Sequence, residues 1–448
     1  MSYNNLTKLH DIIRDMDKKF KPKTLKGFRD YFAEDVFVRD KIRNTFKNIV
    51  EKYAYEKLET PSLEYSELIL GQSGDEAEKL YYRFKDNGDR DVMLKYELMI
   101  SMCRAIAQNF NNIAIPYKRY QIQNAWRAEN VQRGRLREFT QMDIDIVGSS
   151  SQLADAEVIE IGIRFLESLG LQNFTAKISN RKVLKGIIEY LNIPQELFDG
   201  FYTSVDKLQK IGEEKIIEEL KNIRGIDPRK VDEIIRFLKV KELKDLENTV
   251  GTTTIGKEGI DELKQILQIL SLTDISSDKY IFDITLARGL ASYTGPIWEF
   301  EILDGGVGSL GGGGRYDKAI SKYLGQEIPA TGTSFGLERL QEILVQNNII
   351  KRYKDFADLL IIPIDADSIS YSMKVAQKFR KSNIKTMIYP DKKKFGTIFN
   401  YAEKQDIKWV AVIGPDEEKE NMIQLKNIDS KEQEKLSIDQ AISKISSK

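Results

Sequence analysis

Two segments near residues 117 to 147 alternate between apolar and polar residues, and this alternation constrains the fold more than any other feature. YKRYQIQNAWRAE places Tyr120 and Ile122 among polar neighbours, and REFTQMDIDIVG does the same with Met142, Ile144 and Ile146. Side chains two residues apart lie on one face of a strand, so the pattern predicts two half-buried strands around a polar loop. Four arginines lie on this loop or at its ends: Arg127, Arg133, Arg135 and Arg137.

Two other regions differ in composition and periodicity, and they divide the chain. Residues 182–274 consist of charged segments with helical periodicity, broken at Gly225 and Pro228, which predicts a small helical subdomain. After Arg352, apolar runs typical of strands alternate with helical stretches and short connections. This order predicts a compact α/β domain with a largely parallel sheet over residues 353–448.

The composition excludes several classes of protein. Lysine and arginine total 69, as do aspartate and glutamate, so no overall charge attracts nucleic acid or an acidic membrane surface. The single cysteine, Cys103, and the single histidine, His10, exclude a disulfide framework and make a Cys/His metal site implausible. No apolar run approaches the roughly 20 residues of a membrane span, so we expect no membrane partner and a cytoplasmic location.

The arginines of the loop suggest a ligand rich in phosphate. A guanidinium group matches phosphate oxygens with two parallel hydrogen bonds and stays charged at any working pH, although a solvated basic hairpin would have the same composition. Two further arginines favour the ligand, because Arg288 lies in a predicted strand and Arg339 near the start of a predicted helix. Arginines on buried elements need anions beside them, which phosphates would supply.

Two further features each allow a structural and a functional interpretation. The segment DGGVGSLGGGGRYD has seven glycines in fourteen residues, but it matches neither the Walker pattern nor the dinucleotide fingerprint. It could cradle phosphate, or it could form a tight turn or pack closely against a neighbouring backbone. Glu97 has apolar neighbours, so it would either pair with a buried arginine or receive the ammonium group of a substrate.

Five segments in the expected order resemble the motifs of class II aminoacyl-tRNA synthetases and, within that class, of the histidyl-tRNA synthetase family. EKLETPSLE is similar to class motif 1, WRAENVQRGRLREF to motif 2 and GTSFGLERL to motif 3. LARGLASYTGPIWE and GGGGRYD are similar to two segments that distinguish the histidine enzymes. With KGFRDY near the start and the C-terminal α/β region, the resemblance covers nearly all of the chain.

The resemblance implies both a fold and an activity. The fold would be an α/β multidomain one, with a class II α+β core at residues 1–350 whose antiparallel sheet is flanked by helices, a helical insertion at 182–274 and an anticodon-binding-like α/β domain at 353–448. The activity would be the ATP-dependent ligation of L-histidine to tRNA(His) through a histidyl-adenylate, which releases AMP and pyrophosphate. The family further implies Mg2+ bound with ATP, without a dedicated protein metal site, and a homodimer.

The resemblance also assigns roles to individual residues. Those implied to bind ATP are Arg127, Glu129, Arg135, Phe139 and Arg339. Those at the positions that contact histidine are Glu97, Met99, Gln141, Asp145, Arg288, Ser292 and Tyr293. Arg127 and Arg288 would be catalytic, because they would stabilise the charge that develops at the α-phosphate. Gln132 and Arg137 would face the acceptor end of the tRNA.

Several pocket residues depart from the family pattern. Ala291 and Ser292 replace an aspartate and a tyrosine, and Met99 replaces a threonine, so hydrogen-bonding groups are lost. Asp145 is one methylene shorter than the usual glutamate, and Asn130 stands in place of an arginine in the motif 2 loop. These departures leave a second hypothesis open: a synthetase-like paralogue with a regulatory or tRNA-binding role, or an enzyme with altered amino-acid specificity.

Overall fold

The computed structural model describes residues 22–70, 79–287, 293–303, 308–354 and 356–447. The chain divides into two compact units. One includes Arg39–Ile350, and the other includes Tyr31–Val38 and the residues from Lys351 onward. The predicted site residues Arg288 and Ser292 lie outside the described residues, so their roles stay predictions from the sequence.

Within the described part of the first unit, eight strands form a large sheet and three form a small one. In chain order the strands are β1 (Glu56–Lys57), β2 (Leu63–Tyr65), β3 (Arg83–Lys85), β4 (Asp91–Leu94), β5 (Tyr117–Trp126), β6 (Glu138–Val147), β7 (Phe174–Asn180), β8 (Tyr280–Phe282), β9 (Pro296–Ile302), β10 (Ser309–Arg315) and β11 (Ala330–Gly336). The large sheet has the order β1-β5-β6-β11-β10-β9-β7-β8, and the small antiparallel sheet has the order β2-β4-β3. Only the edge strands β1 and β8 of the large sheet pair in parallel with their neighbours.

Helices flank the large sheet and fill the region that the sequence predicts as helical. In chain order they are α1 (Ala33–Val50), α2 (Ser66–Ile69), α3 (Met99–Asn109), α4 (Gln152–Ser168), α5 (Arg181–Tyr190), α6 (Phe198–Ile211), α7 (Glu213–Glu218), α8 (Pro228–Leu238), α9 (Thr254–Ser271), α10 (Ser321–Leu324) and α11 (Leu337–Gln346). Helices α5 to α9 lie between β7 and β8. The prediction of a mainly antiparallel sheet flanked by helices is confirmed.

The two alternating segments form strands β5 and β6, which pair antiparallel along their whole length, as the sequence predicts. Because side chains alternate across a strand, the sheet has two unlike faces. One face carries the large buried side chains Tyr120, Met142, Ile144, Trp298, Phe300 and Phe335. Phe46 of α1 and Phe165 of α4 pack on this face edge to face, with ring centroids 5.1 Å apart. This packing buries a broad apolar surface, and it stabilises the sheet below the site.

The opposite face of the large sheet is polar and rich in glycine, and it positions the candidate site. Gln141, Asp143 and Asp145 project from β6 at every second residue. On β11 their partners include Ser334, opposite Asp143, and Gly332, opposite Asp145. A Cβ atom at Gly332 would lie 2.0 Å from Oδ1 of Asp145, so only glycine leaves room for this carboxylate.

Within the described part of the glycine-rich run, Ser309–Arg315 form strand β10, between β9 and β11, rather than a tight turn, and residues 304–307 of the run lie outside the described residues. A Cβ atom at Gly313 would lie 1.8 Å from the carbonyl oxygen of Gly332 on the neighbouring strand. Close packing against a neighbouring backbone, one of the alternatives raised by the sequence, is therefore observed. The glycines let β10 and β11 approach without side chains between them.

The second unit is a five-stranded sheet with helices, within the described residues. Its strands are β12 (Leu359–Pro363), β13 (Thr386–Ile388), β14 (Trp409–Ile413), β15 (Met422–Asn427) and β16 (Gln433–Ser437). Its helices are α12 (Ser368–Lys381), α13 (Phe395–Lys404), α14 (Pro415–Glu420) and α15 (Ile438–Ser446). The sheet order is β13-β12-β14-β15-β16, and apolar side chains fill the core on each face of it.

The prediction that this second sheet is largely parallel is wrong for half of its pairings. Strand β12 pairs in parallel with β13 and β14, but β14 with β15 and β15 with β16 are antiparallel. The eight residues between β14 and β15 hold only the short helix α14, whereas a parallel crossover needs about a dozen or more. Asn421, with φ of 54°, turns the chain back in the left-handed conformation that asparagine tolerates.

The described residues include neither a membrane-spanning helix nor a cluster of metal-binding side chains. None of the helices there is long and apolar enough to cross a membrane. In the same part of the chain, no group of three or more His, Cys, Asp or Glu side chains is arranged to hold a metal ion.

Candidate active site

A cavity of about 1020 Å³ lies over the polar face of the large sheet. Ten of the residues predicted from the sequence line it: Glu97, Met99, Arg127, Glu129, Arg135, Phe139, Gln141, Asp145, Tyr293 and Arg339. Gln132 and Arg137 are not among the lining residues. The fold thus brings together side chains from β6, α3, α11 and the loop after β5, which are far apart in the sequence.

Arg127 is held against the wall of the cavity by two aromatic rings. Its guanidinium carbon lies 4.3 Å from the ring centroid of Tyr96 and 5.1 Å from that of Phe139. Its Nε donates a hydrogen bond to the carbonyl oxygen of Tyr96 at 3.1 Å. Such cation–π contacts restrict the guanidinium group, so a positive charge is fixed at a defined place in the cavity.

The other arginines of this loop contact different groups. Nε of Arg135 lies 2.6 Å from Oε2 of Glu129 in an ion pair whose arginine is half exposed. Arg133 reaches α11, where it pairs with Glu342 and donates a hydrogen bond to Gln346 at 2.9 Å. The four cations therefore do not form one uniform phosphate-binding surface, contrary to the simplest interpretation of the sequence.

Arg137 organises the backbone of the loop. Its Nε donates to the carbonyl oxygen of Glu129 at 3.1 Å, and its backbone carbonyl accepts from the N–H of Arg127 at 2.9 Å. Its backbone N–H donates to the carbonyl oxygen of Gly27 at 2.9 Å. Gln132, by contrast, is exposed and lies in a tight turn in which it exchanges two backbone hydrogen bonds with Arg135.

Motif 3 supplies Arg339 to the cavity and a buried carboxylate behind it. Arg339 donates a hydrogen bond from Nη1 to the carbonyl oxygen of Ser309 on β10. The preceding residue, Glu338, accepts from Nη1 of Arg39 at 2.8 Å and from the backbone N–H of Thr140 at 2.9 Å. Glu338 therefore connects α11 to α1 and to β6. Sequence reasoning missed this role, although a glutamate next to an arginine at the start of an apolar helix was a signal for it.

Asp145 lies deep in the cavity with partners for both of its oxygens. Nη2 of Arg119 lies 2.6 Å from Oδ2, and the Tyr316 hydroxyl donates a hydrogen bond to Oδ1. Burial raises the pKa of Asp145, while Arg119 and the two hydrogen bonds oppose that rise. The sequence identified Asp145 but neither partner, because Arg119 becomes its neighbour only through the register of β5 on β6 and Tyr316 belongs to the glycine-rich motif.

Asp143 is a cavity residue that the sequence prediction missed. It is only 5% exposed, and burial raises its pKa to about 7, against the effect of Arg119. Its Oδ1 and the Oε1 of Gln141 have no hydrogen-bond partner in the part of the chain that the structure describes. The sequence contained a signal for this residue. Asp143 lies two residues from both Gln141 and Asp145, and this spacing places all three on the polar face of β6.

Glu97 caps the start of α3 from the floor of the cavity. Its Oε1 accepts a hydrogen bond from the backbone N–H of Ile100 at 2.7 Å. Burial raises the pKa of Glu97, and the Ile100 N–H and the Arg127 charge oppose that rise. Nearby, Met99 and Tyr293 pack against an apolar cluster around α3. This end of the cavity thus combines carboxylates with an apolar wall.

The remaining polar residues of GGGGRYD support the fold of the site. Nη2 of Arg315 lies 2.6 Å from Oδ2 of the fully buried Asp155 on α4, and Nη1 donates to the carbonyl oxygen of Ser149 at 2.9 Å. Asp317 accepts a hydrogen bond from the Thr294 hydroxyl at 3.0 Å. The motif therefore fixes the segments on either side of β10, and Tyr316 alone among its polar residues lines the cavity.

Comparison with known proteins gives one consistent family. The family model described as Histidyl-tRNA synthetase matches residues 27–340, and the model described as Anticodon binding domain matches residues 358–448. A histidine–tRNA ligase of Clostridium tetani is 36% identical over 94% of this chain and 97% of its own length. Another, of Wolinella succinogenes, is 34% identical over 91% of this chain and 94% of its own length.

A solved structure gives the same answer for the fold. The crystal structure of histidyl-tRNA synthetase from a Nostoc species superposes with a TM-score of 0.84 at 27% identity, and the match covers 96% of this chain and 99% of that one. The resemblance inferred from the five motifs is confirmed. Since one family model spans more than half of the residues and relatives align along most of their length, the chain belongs to the histidyl-tRNA synthetase family.

Proposed function

We propose that the protein is a class II histidine–tRNA ligase. It would form histidyl-adenylate from L-histidine and ATP and then transfer the histidyl group to tRNA(His), with release of pyrophosphate and AMP. The observation that carries the proposal is the cavity itself, which is lined by Arg127, Arg135 and Arg339 and by buried carboxylates beside an apolar cluster. The arginines suit a nucleotide triphosphate, and the carboxylates suit the ammonium and imidazole groups of histidine.

The first step needs charge stabilisation and positioning rather than a covalent enzyme intermediate. The carboxylate of histidine would attack the α-phosphorus in line, and pyrophosphate would leave on the opposite side. Arg127 is the residue best held for the α-phosphate, because Tyr96 and Phe139 restrict its guanidinium group. Arg135 and Arg339 would bind the β- and γ-phosphates, and the assignment of Arg288 to the α-phosphate rests on its motif.

The adenine ring would lie near the motif 2 loop. Phe139 supplies an aromatic face for stacking, and the carboxylate of Glu129 could accept a hydrogen bond from the exocyclic amino group. Glu129 is paired with Arg135 at 2.6 Å, so nucleotide binding would redistribute this ion pair. Arg135 could then turn toward the phosphates, since its side chain is half exposed.

Mg2+ would enter bound to the phosphates of ATP, as small hard cations usually do. Glu129 and Glu299 are carboxylates of the cavity wall that could hold such an ion directly or through water. The ion would neutralise charge on the departing pyrophosphate. The positioning of the α-phosphate falls to the arginines.

The amino-acid end of the cavity would recognise histidine through buried polar groups. Glu97, Gln141 and Asp145 would receive the ammonium and imidazole groups, and Tyr293 would hydrogen-bond the ring. The positions of Met99 and Ser292 also belong to this end by their motifs. An apolar competitor would leave buried carboxylates without partners, which is costly, so it would be rejected.

Transfer to tRNA completes the proposal. The terminal adenosine hydroxyl would attack the histidyl-adenylate, and the exposed Gln132 is well suited to contact the acceptor end. Arg137 was assigned there with Gln132, but its contacts with Glu129 and Gly27 support an indirect role in shaping the loop. We assign residues 1–350 to catalysis, with the insertion at 182–274, and residues 353–448 to the anticodon.

The proposal extends to a homodimer in the cytoplasm. Leu63, Tyr65 and Phe84 on the small sheet are each between 43% and 50% exposed, and an exposed apolar surface of this kind suits a protein interface. Light scattering on the purified chain would measure its mass in solution. A mass of one chain at micromolar concentration would contradict the dimer.

Histidine-dependent exchange of labelled pyrophosphate into ATP tests the function. We expect exchange with histidine and charging of a tRNA(His) transcript. No exchange with any of the twenty amino acids, together with intact ATP binding, would favour the paralogue hypothesis. Exchange with a different amino acid would show that Met99, Ala291 and Ser292 have changed the specificity.

A further inference from the structure

A carboxylate from the helical insertion reaches the segment next to Tyr293. Glu262 lies on α9, and its side chain is only 12% exposed. Its Oε2 accepts a hydrogen bond from Nδ2 of Asn180 at 2.7 Å, and its Oε1 accepts one from Nζ of Lys182 at 2.6 Å. Hydrogen bonds with an ionised partner are about twice as strong as neutral ones, so these two contacts hold the carboxylate in one position.

Asn180 connects this carboxylate to the large sheet. It is the last residue of β7, it is fully buried, and it lies opposite Pro296 of β9. Its Oδ1 accepts from the backbone N–H of Lys182 at 2.9 Å and so caps the start of α5, while its Nδ2 donates to Glu262 on α9. Both ends of the amide are used, so the orientation of Asn180 is fixed by these two helices.

Gly295 is the residue at which the insertion meets the segment that lines the cavity. A Cβ atom added there would lie 3.5 Å from Oε2 of Glu262, and the carbonyl oxygen of Gly295 accepts from the backbone N–H of Arg181 at 3.1 Å. The two preceding residues, Tyr293 and Thr294, both line the cavity. Glu262 is not among the lining residues, but it contacts the chain two positions from Tyr293.

The packing of the insertion helices leaves little room for this carboxylate to move. Helices α5 and α9 approach backbone to backbone, because a Cβ atom at Gly186 would lie 2.6 Å from Cα of Gly256. Arg181 also stacks on Tyr202 of α6, with its guanidinium carbon 4.0 Å from the ring centroid. Helices α5, α6 and α9 therefore meet beside Gly295.

We propose that Glu262 is a positioning residue for the amino-acid end of the cavity. Through Asn180 and Gly295 it fixes the segment that carries Tyr293, so the helical insertion contributes to the affinity for the amino acid. This inference rests on the proposed function, because it takes Tyr293 to contact the ring of the substrate. Glu262 lies outside every motif that the sequence analysis identified.

Two substitutions on one helix separate this role from an effect of charge alone. Glu262→Gln keeps the shape of the side chain, but one end of the new amide is a donor, so it cannot replace both oxygens that face Asn180 and Lys182. The matched control is Glu258→Gln, one turn earlier on α9, because Glu258 also pairs with Lys182 but its side chain is 57% exposed. Steady-state pyrophosphate exchange on the full chain would give KM for histidine, KM for ATP and kcat for each protein.

We expect Glu262→Gln to raise KM for histidine by about fivefold or more and to change KM for ATP and kcat by no more than about twofold, because the ATP-binding arginines lie on other elements. Glu258→Gln should leave all three values within about twofold, as for an exposed ion pair. An unchanged KM for histidine, or an equal rise in both KM values, would overturn the proposal. If Glu262→Gln does not fold, Asn180→Ser provides the same comparison, since serine still caps α5 but is too short to reach Glu262.

Hydrogen exchange followed by mass spectrometry distinguishes failure of this inference from failure of the proposed function. The backbone N–H of Thr294 donates to the carbonyl oxygen of Arg315 at 2.8 Å, so its exchange reports on the segment without any substrate. Faster exchange at Thr294 in Glu262→Gln, but not in Glu258→Gln, would support the positioning role even if no amino acid drives pyrophosphate exchange and the function fails. Equal exchange in all three proteins would overturn the role, while a wild type that is active with histidine would keep the function.

Discussion

At the scale of single residues, the arginines of one short loop have different contacts. Arg127 lies against two aromatic rings in the cavity wall, while Arg133 reaches α11 and pairs with Glu342. Charge alone does not rank them, although the resemblance to motif 2 assigns Arg127 to ATP and gives Arg133 no role. Their tertiary neighbours separate a candidate ligand-binding residue from one that fastens the loop.

The first prediction concerns Arg127. Replacing it with alanine should raise the adenylation barrier by about 2 to 4 kcal/mol, because a preorganised positive charge near the α-phosphate is lost. Pyrophosphate exchange at saturating histidine and ATP would measure this change. Arg133→Ala is the control, and it should alter the rate by no more than about threefold, since the Arg133–Glu342 ion pair is exposed. Similar losses in both variants would contradict the distinction.

Arg288 lies outside the described residues, and its role comes from the motif alone. We expect Arg288→Ala to slow adenylation by about 2 to 4 kcal/mol of barrier while ATP still binds, because the charge would act in the transition state more than in the ground state. Single-turnover exchange together with equilibrium ATP binding would separate the two effects. A nearly unchanged turnover would remove Arg288 from the catalytic residues.

The raised pKa of Asp143 predicts a pH dependence of stability. The folded pKa is about 7 against 3.8 for the ordinary value, so the folded state binds this proton more tightly than the unfolded state. The contribution is therefore most favourable below pH 4 and is lost progressively as the pH rises to about 7. Relative to wild type, Asp143→Asn should gain about 2 to 3 kcal/mol in free energy of unfolding between pH 5 and pH 8.

Urea unfolding at pH 5, 6, 7 and 8 would measure this difference. Other buried carboxylates such as Asp155 are present in both proteins, so their contributions cancel. Glu138→Gln should show no such trend with pH. A stability difference between Asp143→Asn and wild type that does not change across this range would show that Asp143 is not protonated preferentially in the folded protein.

At the scale of elements, Glu338 holds three of them together. Its carboxylate accepts from Arg39 on α1 and from the Thr140 backbone on β6, while the residue itself lies in the first turn of α11. Arg39 and Glu338 are both more than 90% buried. The glutamate of motif 3 thus fixes the helix that presents Arg339 to the cavity.

We predict that Glu338→Leu destabilises the core by about 3 to 5 kcal/mol, because Arg39 would lose its buried carboxylate. The double variant Arg39→Leu, Glu338→Leu should be less destabilised than the single one, since no uncompensated charge remains. Urea unfolding followed by tryptophan fluorescence, with Trp298 in the core, would compare the three proteins. A double variant less stable than the single one would contradict this account of the ion pair.

Elements differ in how well the sequence predicts them. Strands β5 and β6 can be predicted from the alternation of apolar and polar residues, because one face of each strand is buried and the other face is polar. The glycine-rich run has no such alternation, so its form as strand β10 depends on the neighbouring backbones at Gly313. Likewise, the antiparallel orientation of β15 depends on the short connection through α14 and Asn421. The apolar pattern of the strand does not predict this orientation.

At the scale of the whole molecule, the two compact units have separate cores. Every described residue assigned to ATP or to histidine lies between Glu97 and Arg339, within the first unit. The second unit packs its own helices on its own sheet, and it matches the anticodon-binding model by itself. We therefore expect adenylation to depend on the first unit and recognition of the anticodon to depend on the second.

We predict that a chain ending at Ile350 retains histidine-dependent pyrophosphate exchange within about tenfold, because a domain with its own core folds without its neighbour. The same fragment should lose at least tenfold in charging of tRNA(His), since contacts outside the acceptor end are removed. Both assays would be run on the fragment and on the full chain. Loss of exchange in a folded fragment would show that the second unit also supports the adenylation site.

The sequence by itself determined the family, the antiparallel pair at β5 and β6, and ten of the residues that line the cavity, because motifs and strand periodicity are local properties of the chain. Only the tertiary structure decided that Arg133 pairs with Glu342 on α11, that Arg119 and Tyr316 pair with Asp145, and that Asp143 is buried. These results depend on which strands and helices become neighbours. Burial and charge pairing arise between residues on different elements, about two hundred positions apart for Arg133 and Glu342, and no single segment carries that information.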